Sequence, residues 1–142
     1  MQPMRHIFCV LTGLAALWGA AGSAGTTKGI SMELNAADLV GEACRVTFVV
    51  TNQTDTPVDK AIYETVLFSK ERGVLMLTLF DFGALPTGVP RVRQFQVNDT
   101  SCSRIGMVLI NGANTCTVAG DPNDICGSGL GTSSRIDIEL KG

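Results

Sequence analysis

Cys44-Arg-Val-Thr-Phe-Val-Val-Thr-Asn52 is the stretch whose reading decides the fold of this chain. Cys44, Val46, Phe48 and Val50 alternate with Arg45, Thr47, Val49 and Thr51. A period of two is that of an extended strand, whose successive side chains point to opposite faces. The face carrying Cys, Val, Phe and Val belongs in a core, so Cys44 is expected to point inward. The polar run from Thr51 to Pro57 then reads as a turn.

The same alternation continues outward from this strand in both directions. Before it, Ile30, Met32, Leu34 and Ala36 alternate with Ser31, Glu33 and Asn35. After it, a strand over 61–69 meets the tight turn Lys70-Glu71-Arg72-Gly73 and a strand over 74–82, which together form a hairpin. A connector with Pro86, Gly88 and Pro90 leads to a strand over 91–97, and Asn98-Asp99-Thr100-Ser101 turns into a sixth over 103–111. A long loop, 112–134, precedes a last strand in which Ile136, Ile138 and Leu140 point inward and Arg135, Asp137 and Glu139 outward. No apolar stripe of helical period spans three turns. Seven short antiparallel strands joined by Pro, Gly and Asn turns predict an all-β immunoglobulin-like sandwich, with a small β-barrel as the alternative.

Met1 to Ala24 has the features of a secretory leader: Arg5 and His6, an apolar run from Ile7 to Ala21, then Gly22-Ser23-Ala24 as small residues for cleavage. The expected organisation is a signal peptide over 1–24 and one domain over 25–142, with no later run long enough to span a membrane. Periplasmic or secreted localisation follows. Arg5 leaves with the leader, so the mature chain carries a net charge of about −3. That balance argues against nucleic acid or an anionic membrane surface as the main partner, since both demand a concentrated positive field.

The leader also takes Cys9, leaving Cys44, Cys102, Cys116 and Cys126 for an oxidising compartment, where two disulfides are expected. A strand over 103–111 would hold Cys102 and Cys116 at opposite ends, beyond disulfide reach. The preferred pairing is therefore Cys44 with Cys102 and Cys116 with Cys126, the latter closing a loop rich in Gly, Asp, Asn and Pro. The second and sixth strands of such a sandwich face each other in the same direction, which suits the first bridge. His6 is the chain's single histidine. Its loss with the leader removes histidine-based triads, proton shuttles and His-containing zinc sites.

Val46-Thr-Phe-Val-Val-Thr-Asn52, followed by Tyr63-Glu-Thr-Val-Leu-Phe68 and Gly73, resembles the FxLYD-type and related immunoglobulin-like domains of secreted bacterial proteins. The likeness covers about half of the mature chain, with Ser69-Lys70 where those domains have Tyr-Asp character. The resemblance implies a fold and a compartment. It brings no shared catalytic site.

Two site readings stand out. Glu64 shares strand parity with Ile62, Val66 and Phe68, so it is expected inward, in a structural ion pair with Arg91 or Arg93 of the fifth strand. The stretch containing Val74, Met76, Leu77, Leu79 and Phe80 is apolar on both faces, which predicts either a doubly covered strand or a partner surface at a sheet edge.

Asp121-Pro-Asn-Asp124 offers oxygen ligands but lacks the spacing of a calcium loop, so a disulfide-stapled turn is expected there and no metal. Gly127, Gly129 and Gly131 precede a strand rather than a helix, which suits a flexible connector better than a phosphate cradle. Glycosylation sequons occur at Asn52 and Asn98. The function expected is that of an exported, non-catalytic binding or structural accessory module without cofactor, its partner an envelope or extracellular protein. The alternative is a carboxylate-based hydrolase using Glu64 or Asp81, or a secreted enzyme inhibitor.

Overall fold

The computed structural model describes residues 28–142, and the leader reading at 1–24 lies outside the described residues. Among the described residues nine strands form: β1 (Ile30–Val40), β2 (Ala43–Asn52), β3 (Val58–Ser69), β4 (Val74–Leu85), β5 (Arg91–Val97), β6 (Ile105–Val118), β7 (Asp121–Pro122), β8 (Gly131–Ser134) and β9 (Glu139–Lys141). Sheet A has the order β5-β2-β1-β8. Sheet B has the order β4-β3-β6-β7, with β9 also paired to β6. The two sheets pack as an immunoglobulin-like sandwich and do not close into a barrel, which settles the architecture between the two expected forms.

Each inward row reflects the alternation in the sequence. Met32, Leu34, Cys44, Val46, Phe48 and Val50 from sheet A are fully buried against Tyr63, Leu67, Phe82 and Val108 from sheet B. Phe48 lies at the centre of an aromatic cluster, with ring centroids 6.1 Å from Phe80, 5.5 Å from Phe82 and 6.0 Å from Phe95. Phe80 and Phe95 stack at 4.1 Å, closing the side of the sandwich where β4 runs on to β5. Both disulfides have the expected pairing, with Cα atoms 4.8 Å apart for Cys44–Cys102 and 6.0 Å for Cys116–Cys126.

The C-terminal third departs from the expectation of a single loop and a single strand. β6 continues through Val118 and β8 forms at Gly131–Ser134, both inside the expected 112–134 loop, whereas of the strand expected around Ile136, Ile138 and Leu140 only β9 is extended. β8 pairs parallel with β1, and β9 pairs parallel with β6. Ser134 explains the break: its hydroxyl lies 2.6 Å from the Ile138 carbonyl and 3.1 Å from that of Ile136, folding 134–138 into a bend. Ile138 and Leu140 nevertheless enter the core, so the inward parity holds while the strand does not.

The expected flexible connector is also close-packed. A Cβ on Gly29 would stand 2.0 Å from the carbonyl oxygen of Gly129, so this Gly-rich segment serves backbone approach to the start of β1.

Tyr63 ties the small disulfide loop to the core. Its ring is fully buried edge-on to Phe82, and its hydroxyl donates to the Cys126 carbonyl at 2.9 Å. Burial pushes the phenol above its ordinary range, because the phenolate would lose its hydration. In the unfolded chain the phenol releases its proton near pH 10, whereas the folded chain retains it. Stability is therefore complete below about pH 10 and falls above it by up to about 1.4 kcal/mol per pH unit. Tyr63 is the chain's single tyrosine, so tyrosinate absorbance reports this group directly. The expected titration coincides with alkaline unfolding followed by circular dichroism; a phenolate forming while the β signal persists would contradict the buried hydroxyl.

Candidate functional site

Sheet B is apolar on both faces. The inward row of β3 is Tyr63, Thr65 and Leu67, all fully buried, which leaves Ile62, Glu64, Val66 and Phe68 pointing outward. The register builds rows across three strands: Val74, Phe68 and Met107; Leu77, Val66 and Leu109; Leu79, Glu64 and Gly112. Val66 is buried by its neighbours yet lies outside the core cluster, as do Ile62, Phe68, Val74, Leu77, Leu79, Met107 and Leu109. Exposure is greatest along β4, at 64% for Val74, 59% for Leu77 and 50% for Leu79.

Local irregularities place these side chains. A register shift between Leu67 and Phe68 skips Leu75, so Val74 and Leu77 share the outer face despite their odd spacing, while Met76 packs against the core. Phe80 is buried. Of the expected surface, Val74, Leu77 and Leu79 thus face solvent and Met76 and Phe80 face inward. A second bulge skips Phe82. Gly83 adopts φ 67° there and its N–H donates to Asp81 Oδ1 at 2.8 Å. The freed Phe82 carbonyl accepts from Arg93 Nε at 2.6 Å.

The Glu64 reading is corrected by this geometry. Glu64 lies on the outer face and accepts a hydrogen bond from the Asn111 amide of β6. Arg93 serves the Phe82 carbonyl, and Arg91 lies beside it on β5 in the other sheet. Both parities of β3 are apolar, and the one with Tyr63 takes the interior: its hydroxyl finds a buried acceptor, whereas the other would carry the Glu64 carboxylate out of water. Asn111 carries no sequence signal as a partner, since only the β3–β6 register brings it to Glu64. Ile62, Val66, Phe68, Met107 and Leu109 likewise join the surface unforeseen. The signal was present in the double-sided apolarity of β3.

Three shallow depressions of about 270, 280 and 360 Å3 converge on Lys70 at the end of the sandwich that holds the Cys44–Cys102 bridge. Lys70, Arg72 and Arg104 line them together with Glu71, Asp137 and Glu139, and Arg72 stands 3.9 Å from Glu139. Charges of both signs cancel there, and each hollow lies at or below the size of small-molecule pockets. Glu64 and Asp81 line none of these three. Asp81 instead pairs with exposed Lys60 at 3.8 Å.

In the stapled loop, Asn123 Oδ1 accepts from Ile125 N at 2.9 Å, and the Asp124 carbonyl accepts from the N–H groups of Gly127 and Ser128. No group of three or more His, Cys, Asp or Glu side chains is arranged for a metal among the described residues. The two sequons differ sharply. Asn52 is fully buried, and its amide nitrogen donates to the carbonyls of Thr56 at 2.8 Å and Leu85 at 3.0 Å, so the folded chain has no room for a glycan there. Asn98 is exposed.

These elements define a disulfide-bonded immunoglobulin-like sandwich with an apolar outer face. No family model and no curated protein matches the chain. A solved structure, that of IrmA from Escherichia coli, is similar with a TM-score of 0.62 at 15% identity, over 75% of this chain and 92% of that one. That likeness concerns the fold. The two disulfides are compatible with an exported protein, and no helix among the described residues is long and apolar enough to cross a membrane.

Proposed function

We propose that this chain is an exported, non-catalytic binding or structural accessory module of the periplasm or the extracellular space, acting through protein contacts on the outer face of sheet B. The observation that carries this reading is the run of Val74, Leu77 and Leu79 beside Val66 and Leu109, apolar side chains that the core does not use. Two bridges suit an oxidising compartment. A flat apolar face at a strand edge suits a protein partner more than a small ligand, which needs a concave site.

Photo-crosslinking in the producing cell tests it. A photoreactive residue replacing Leu79 is expected to give a protein adduct, whereas one replacing Val92, equally open but on sheet A, gives none. Adducts from Val92 alone, or from neither site, would refute the assignment.

A further inference from the structure

We propose that the occupant of the β4 edge is a second copy of this chain, with β4 pairing antiparallel to its symmetry mate about a two-fold axis at Leu77. This names the partner of the surface in the preceding section and rests on that reading. Among the described residues β4 is the terminal strand of sheet B, and its residues 74–80 contain no charge, proline or glycine. Such an edge lacks the devices that ordinarily keep strands from pairing between molecules. The opposite edge of sheet B is treated differently: β9 and β7 cover parts of β6, and Asn111 to Asn114 between them are polar or small.

The open segment is also bounded. Above Phe80 the strand bulges, and Arg93 already occupies the Phe82 carbonyl, so pairing can extend only over 74–80. An isologous contact needs a surface complementary to itself. With Leu77 opposite its mate, Leu79 of one copy meets the Val74–Leu75 bulge of the other, and Phe80 meets Gly73. Arg72, next in the chain, then lies beside the partner copy's Asp81. Opposite charges thus close both ends of an uncharged seam, whereas a parallel arrangement would set like charges together. Side chains on the outer face shield one another across the seam, which is the burial that exposed Val74, Leu77 and Leu79 lack in one copy.

Sedimentation equilibrium on the purified, disulfide-bonded chain tests the pairing. A reversible dimer is expected, weakened on the order of a hundredfold by Leu77→Lys, which sets two ammonium groups together at the axis. Mixing Leu77→Lys with Leu77→Glu restores the dimer, and Val92→Lys leaves it unchanged. Circular dichroism verifies that each variant is folded, and Leu79→Lys substitutes for Leu77→Lys if the latter is not. A chain that stays monomeric at its highest soluble concentration, or a dimer indifferent to Leu77→Lys and Leu79→Lys, overturns the proposal. A monomer that still gives adducts at Leu79 with a different protein overturns self-pairing alone and leaves the proposed function standing.

Discussion

Replacing Cys44 and Cys102 together by alanine lowers the unfolding free energy by about 4 kcal/mol, while the same change at Cys116 and Cys126 costs about 3. The ordering comes from loop length. The first bridge spans a sequence separation of 58 and the second only 10, so the first removes more freedom from the unfolded chain. Burial does not reverse the order, because each bridge has one fully enclosed sulfur, at Cys44 and at Cys126, and either loss leaves a void. Urea melts of the two double variants measure the difference. A larger loss at Cys116–Cys126 would mean that the Tyr63 anchor, rather than chain entropy, sets the value of these bridges.

Phe48→Ala is expected to cost about 4 kcal/mol, the range of a fully buried aromatic truncated without repacking. Phe48 touches the rings of Phe80, Phe82 and Phe95, which come from both sheets, so the cavity would open on the plane where the two layers meet. Those neighbours have little freedom to fill it. Phe80 and Phe95 hold each other in a parallel stack, and Phe82 is fixed by the bulge that Arg93 secures. A denaturant midpoint shifted by a small fraction of the wild-type value would show that this cluster collapses more readily than its packing suggests.

Much of the framework is legible in the sequence because alternation, turn residues and even cysteines are local signals. The strands over β2 and β5, the β3–β4 hairpin and both bridges follow from spacing alone. β3 shows where local signals stop. Ile62, Val66 and Phe68 compete with Tyr63, Thr65 and Leu67 for the interior, and the choice depends on an acceptor at Cys126, far along the chain. Glu64 inherits its position from that choice. The outer face is half legible for the same reason: the apolar run of β4 is visible, whereas its bulge at Leu75 and its neighbours on β3 and β6 come from register. The bend that replaces the first half of the final strand is held by one hydroxyl at Ser134, which no pattern of hydrophobicity records.

The parallel pairing of β8 with β1 also bears on when this protein can fold. β1 is the first described strand to leave the ribosome, yet its neighbour at residues 131–134 is among the last. At ordinary synthesis rates the interval is on the order of ten seconds. Through that time the start of β1 lacks one side of its sheet, and β6 waits in turn, though for a shorter time, for β9. Ile138 and Leu140 join the core last, so the final closure of the sandwich awaits this segment. Both sheets thus gain their last strands from the segment made last among the described residues.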